Sequence, residues 1–201
     1  MPAETTTPRL TSRFDDALAY AADLHRSQTR KGSGVPYFGH LLSVASLVIE
    51  AGGTETQAIA ALLHDAAEDQ GGEQTLAEIG ERFGKQVASI VTECSDTFET
   101  PKPPWRERKQ RYIDHLAHAS DDAVLISLAD KLDNARAILR DYRQVGDDLW
   151  KRFSVKEPQQ HLWYYRSLLK VFRESNATPW LVDELERVLD TLTELVGQAH
   201  R

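Results

Sequence analysis

The chain has 201 residues, and 31 Asp+Glu against 24 Lys+Arg give a formal net charge of −7. That length suits one compact domain with a full core, and the acidic balance argues against the basic footprint of a nucleic-acid coat. Cys94 stands alone, so no intrachain disulfide exists; no apolar run approaches the ~20 residues that cross a bilayer, and MPAETTTPRLTSR lacks the apolar core of a signal peptide, so a cytoplasmic protein without membrane or nucleic-acid partners is expected.

In chain order, residues 1–12, rich in Thr and Pro, read as a flexible arm. Thr11 or Ser12 then caps a helix in which Phe14, Ala17, Leu18, Ala21, Ala22 and Leu24 recur at helical spacing. The RKGSGVPY stretch at 30–37 is a loop. Helical patterns follow at about 40–51, 55–69, 75–82, 84–96, 105–118, 122–143, 157–174 and 179–199. Turn residues separate them at Gly52-Gly53, Gly71-Gly72, Gly84, Pro101–Pro104, Gly146 and Thr178-Pro179. Thr75 and Glu78 read as a capping box opening the helix at 75. The β-competing run Val124–Leu128 flows directly into a helical period, so the fold class is all-α. The stripe Trp180, Leu181, Leu185, Val188, Leu189, Leu192 and Val196 fits intrachain core and leaves monomer or homodimer undetermined.

Two stretches are apolar on every side: AIAALL at 58–63, running into His64-Asp65, and VLISLA at 124–129, running into Asp130. A helix apolar all round is buried, and carboxylates at its end need compensation. With His40 opening the preceding helix, two imidazoles and two carboxylates (His40, His64, Asp65, Asp130) form a mixed N/O set suited to Mn, Fe, Co, Zn or Mg. The His-Asp dipeptide alone favours a hydrogen-bonded core pair; the buried flank of Asp130 brings the two readings level, and the motifs around each residue tip the balance to a metal. Glu68 and Asp69 follow on the same helical flank, and Asn134 lies one turn beyond Asp130. Carboxylates so placed can orient a water or move its proton.

Positive charge gathers at Arg26, Arg30 and Lys31; at Lys102, Arg106, Arg108, Lys109 and Arg111; and at Lys131, Arg136, Arg140 and Arg143. Three cationic segments in an acidic chain suit local recognition of an anion. Beside a metal, that anion is most simply a phosphate ester or anhydride.

The order His40, His64-Asp65, Asp130 resembles the H…HD…D pattern of the HD metal-dependent phosphohydrolase superfamily. The stretches RKGSGVPYFGH, AALLHDAAED, FGKQVASIVTECSD, WRERKQRY and LADKLDN resemble, in order, the hydrolase domain of the RelA/SpoT alarmone family, particularly its stand-alone small alarmone hydrolases. The resemblance runs from about Phe14 to Asp141 and more weakly through Trp163-Tyr164-Tyr165. It implies a single HD-type domain of about eight to ten helices, with one manganese ion on His40, His64, Asp65 and Asp130, other divalent metals being possible. It further implies hydrolysis of the 3′-diphosphate of ppGpp or pppGpp, giving GDP or GTP and pyrophosphate. Glu68 and Asp69 match the family's water-positioning ED pair. Asn134 matches the residue near the nucleotide sugar, Arg30 and Lys31 the pair at the base and nearby phosphate, and Arg108 and Lys109 a basic pair facing phosphates. Two departures stand out: the loop has one residue more than the RKSG of the long bifunctional enzymes, and Asp133 stands where an uncharged or aromatic residue or His is usual.

A nucleotidase or NADPH 2′-phosphatase keeps the metal and changes the substrate; a nucleotide-sensing module keeps the HD shell without turnover. The motifs end near Asp141 and leave ~60 residues, too few for another typical domain. The expectation is therefore a stand-alone hydrolase domain over 13–201, with a metal-site core at about 13–145 and supporting helices at about 155–199.

Overall fold

A computed structural model describes residues 9–97 and 101–199. Of the expected arm, residues 1–8 lie outside the described residues, as do Glu99 and Thr100 of the Pro-rich ETPKPPW segment. The described residues form helices α1 (Ser12–Leu24), α2 (Phe38–Glu50), α3 (Glu55–Leu63), α4 (Ala66–Gln70), α5 (Gly72–Phe83) and α6 (Lys85–Cys94). Then come α7 (Trp105–Leu116), α8 (Asp121–Val145), a 3-10 helix (Gly146–Arg152), α9 (Pro158–Glu174) and α10 (Pro179–Ala199). Among the described residues the only β pairing is an isolated bridge between Thr29 and Pro36, so the protein is all-α. No described helix is long and apolar enough to cross a membrane.

Local chemistry sets the helix starts. The Thr11 side chain accepts from the Arg13 amide, and Thr54 with Gln57 closes a reciprocal capping box. Ser120 caps α8 by accepting from the Ala123 amide. Every residue of Ala58–Leu63 is fully buried, which places α3 at the centre, packed by α1, α2, α6 and α8. Helix α8 forms the second axis, against α2, α6 and α10. On α10, Leu181, Leu185, Val188, Leu189, Leu192 and Val196 are buried intrachain, whereas Trp180 is exposed. Each fully buried Leu or Ile contributes about 1.5–3 kcal/mol, so α3 and α8 are fixed before any polar group is considered.

Three details differ from expectation. The continuous helix at 55–69 breaks at His64-Asp65 into α3 and α4. The His64 Nδ1–H donates to the Ala61 carbonyl at 2.8 Å, a side-chain bond that competes with the main-chain ladder. Thr75 does not open a helix; α5 starts at Gly72, and the Thr75 hydroxyl donates back to the Gln70 carbonyl at 2.9 Å. The adjacent Gly71 makes this possible, since its φ of 137° suits glycine and a Cβ there would stand 2.5 Å from Thr75 Oγ1. Lastly, Leu125 is only half-buried, so the 124–129 stretch keeps one edge toward solvent.

Candidate active site

The break between α3 and α4 puts His64 and Asp65 at the inner end of the buried helix, where α2 delivers His40 and α8 delivers Asp130. His40 and His64 are 1% and 2% exposed, and Asp130 is 5% exposed. Their donor atoms converge. Nε2 of His40 lies 3.2 Å from Asp130 Oδ1 and 3.7 Å from Asp65 Oδ2. Nε2 of His64 lies 3.0 Å from Asp65 Oδ2 and 3.7 Å from Asp130 Oδ1.

Both Nε2 atoms are buried without a hydrogen-bond partner. Each ring spends its other nitrogen elsewhere: Nδ1 of His64 on the Ala61 carbonyl, and Nδ1 of His40 on Asp133 Oδ2 at 2.7 Å. With Nδ1 spent on these acceptors, Nε2 is the nitrogen each ring leaves to face an ion, the usual preparation of a metal-ligating histidine. Ligand atoms about 2.1 Å from an ion stand about 3 Å apart at right angles, which the observed spacings approach. Imidazole and carboxylate donors together suit a borderline or hard divalent cation, so the residues fit such an ion.

The electrostatics agree. Burial alone would lower the His40 pKa, but Asp130, Asp133 and Asp65 outweigh it and hold it up to about 9. His64 is likewise raised, against burial, by Asp65 and Asp130. Asp65 and Asp130 resist the upward push of burial and are held well below the usual carboxylate range, Asp65 mainly by His64 and Asp130 mainly by Lys131. The cluster therefore demands positive charge.

Asp65 and Asp130 open onto a cavity of about 710 Å³. Glu68 and Asp69 of α4 line it, with Asn134 of α8. Glu68 is tied on both oxygens, by Lys102 Nζ at 2.8 Å and the Asp96 amide at 3.0 Å. Asp69 sits exposed at the mouth and accepts from Gln28 Nε2 at 2.8 Å; the protein crowding its carboxyl, and then Asp65, raise its pKa. The orientation of Gln28 is fixed because its Oε1 takes donors from His25 Nδ1 and Gln70 Nε2, both at 2.6 Å. Asn134 donates to Asp130 Oδ1 at 2.5 Å and accepts from Arg30 at 3.2 Å.

Of the cationic segments, Arg30, Lys31, Lys102, Arg108, Lys109 and Lys131 reach this cavity, joined by Arg152 of the 3-10 helix. The remainder turn away. Arg26 pairs with Asp23, Arg106 lies over the Trp163 ring at 3.1 Å, Arg111 pairs with Glu107, Arg136 with Glu184 and Arg140 with Asp141. Arg108 and Lys109 share Asp96, Lys109 at 2.7 Å. Burial, and then the like charges of Lys131 and Arg108, push the Lys109 ammonium down to about 7.

Sequence reading missed several of these groups. Tyr37, at the end of the Gly-Pro loop, donates its hydroxyl to Asp65. Asp96 anchors the basic pair, and Arg152 is held by Asp141 at 2.9 Å. Lys131, already counted among the cations after Asp130, pairs with Asp130 Oδ2. Cys94 is buried at the end of α6, and burial pushes its thiol up to about 12.

A helical protein with a buried His/Asp centre opening on a cation-lined cavity belongs to the class of metal-site proteins that receive anions. The HD domain family model matches residues 17–159, and the chain belongs to that family. Among curated relatives, guanosine-3′,5′-bis(diphosphate) 3′-pyrophosphohydrolase MESH1 of Xenopus tropicalis is 36% identical over 165 residues, covering 81% of this chain and 86% of that one. The Homo sapiens protein of the same name is 39% identical over 145 residues, 71% of this chain and 76% of that one. A solved structure of a metazoan ortholog of SpoT that hydrolyses ppGpp superposes with a TM-score of 0.73 at 31% identity, covering 90% of this chain and 96% of that one. A Listeria monocytogenes protein superposes with a TM-score of 0.65 at 29% identity, covering 77% and 99%.

Proposed function

We propose that this chain is a metal-dependent (p)ppGpp 3′-pyrophosphohydrolase using Mn²⁺, held by His40, His64, Asp65 and Asp130. The observation that carries the reading is the convergence, on one cavity, of the His/Asp cluster, the Glu68-Asp69 pair and a wall of lysines and arginines. A divalent cation in that cluster would supply Lewis acidity toward water and the scissile phosphate.

The chain's own residues do the rest. Asp69, its carboxyl raised and oriented by Gln28, takes the proton of the attacking water. Glu68, tied to Lys102, holds that cation beside the reaction centre. Arg108, Lys109 and Lys131 neutralise the 3′-diphosphate as water attacks it. Arg30, Lys31 and Asn134 bind the nucleoside end. Water oxygen forms the new P–O bond, the bond from the 3′-diphosphate to O3′ breaks, and O3′ leaves with a proton. The products are pyrophosphate and GDP or GTP. The relatives named guanosine-3′,5′-bis(diphosphate) 3′-pyrophosphohydrolase support the same substrate.

The test is incubation of the purified protein and Mn²⁺ with ppGpp, pppGpp, NADPH and dNTPs, with products identified. Pyrophosphate with GDP from ppGpp is the expected result, lost in Asp65→Ala. Intact ppGpp alongside cleaved NADPH or dNTP would overturn the substrate.

A further inference from the structure

Asp133 stood out in the sequence only as an extra negative charge, and the reaction described above gives it no part. Its Oδ2 accepts the Nδ1 proton of His40 at 2.7 Å, and the same oxygen accepts from an Arg30 guanidinium nitrogen. The Asp133 side chain is 16% exposed, Arg30 is 17% exposed and the His40 side chain is fully buried. His40 therefore has one hydrogen-bond partner on Nδ1, while its Nε2 is aimed at Asp130 and Asp65. Arg30 reaches the cluster by a second route, through Asn134 to Asp130 Oδ1.

We infer that Asp133 is a positioning residue of the metal centre: its carboxylate fixes the His40 tautomer and ring orientation, and Arg30 shares the oxygen that does so. The inference rests on His40 being a metal ligand. A carboxylate on the far nitrogen of a ligating imidazole raises its donor strength, and losing such a partner costs about 10–100-fold in metal affinity. Asp133 thus joins two functions that the sequence keeps apart, the hold on the ion and the hold on the nucleotide. An anion that draws Arg30 away leaves the carboxylate wholly to His40, so ion and substrate tighten each other reciprocally.

The experiment is titration of the apoprotein with Mn²⁺, followed by the electron paramagnetic resonance signal of the free ion, with folding checked by circular dichroism. Asp133→Ala should bind Mn²⁺ about 10–100-fold more weakly than the wild type. Arg30→Gln, which leaves the carboxylate in place, should stay within about threefold of wild type or bind more tightly. If Asp133→Ala fails to fold, Asp133→Asn, of the same size, carries the test with an expected loss of about tenfold. Wild-type affinity in the folded Asp133 variant overturns the inference, as does an equal loss in Arg30→Gln, which would make the effect one of general charge balance. His64→Ala separates the two levels. If it also binds normally, the metal reading fails; if it alone loses the ion, only the role of Asp133 does.

Discussion

Asp96 holds Arg108 and Lys109 together on the cavity wall, and its removal exposes how that wall is balanced. The Asp96 side chain is 8% exposed, and those of Arg108 and Lys109 are 15% and 17% exposed, so the cluster is largely out of water. Asp96→Asn keeps the shape and deletes the charge, leaving Arg108 and Lys109 facing each other without the carboxylate between them. Removing one partner of a buried pair costs about 3–5 kcal/mol. Residual contact with cavity water favours the lower end, about 3 kcal/mol. For a chain of this length that lowers the melting temperature by about 6–12 °C. The unbalanced cations should then bind a free anion better, so pyrophosphate should stabilise Asp96→Asn more than the wild type. Differential scanning calorimetry with and without pyrophosphate measures both effects. A variant melting within about 2 °C of the wild type, and stabilised by pyrophosphate no more than it, would refute the reasoning.

Removing the divalent ion with a chelator should lower the melting temperature, because an ion at about 100 times its Kd stabilises by about 2.7 kcal/mol, or about 5–11 °C here; thermal shift with and without Mn²⁺ checks this. Asp69→Asn should lower kcat by about 10²–10⁴-fold while Mn²⁺ affinity holds, which steady-state kinetics beside a metal titration would reveal. Lys109 is cationic below about pH 7 and neutral above it, so KM for the polyphosphate should rise as pH increases through that value. Lys109→Arg, charged at every accessible pH, should flatten the KM profile, and an unchanged slope would remove Lys109 from binding. Gly32 has φ +71°, and a Cβ there would stand 2.6 Å from Arg152 Cγ and Cδ. Gly32→Ala should therefore cost about 1–2 kcal/mol and raise KM more than it lowers kcat, as initial-rate kinetics would show.

The fold was legible where glycine, proline and capping residues punctuate helical periods. Gly84 and Gly146 end α5 and α8, and the Thr11 side chain begins α1. The break at His64-Asp65 was not, because AIAALLHDAAED contains no breaker and both junction residues keep right-handed helical dihedrals, φ −58° ψ −32° and φ −98° ψ −2°. The interruption comes from a side chain taking a carbonyl, which periodicity does not register. At the site, the adjacent His and Asp and the buried flank of Asp130 were readable because chemistry and position coincide in the chain. Asp96 was not: it lies in coil twelve residues before Arg108, and only tertiary packing brings them together. Asp133 was visible as a charge, but its partners His40 and Arg30 lie 93 and 103 residues away.

The bond from His64 Nδ1 to the Ala61 carbonyl makes one residue both the stop of the central helix and a candidate ligand. Asp65, whose side chain is 23% exposed, accepts the Tyr37 hydroxyl but stops no helix. The two halves of the His-Asp pair are therefore unequally free to change over evolutionary time. A descendant that abandoned the reaction would shed Asp65 readily and keep His64 as a helix stop. In such lineages a lone buried histidine at the end of a fully apolar helix would be the remaining trace of a lost metal centre.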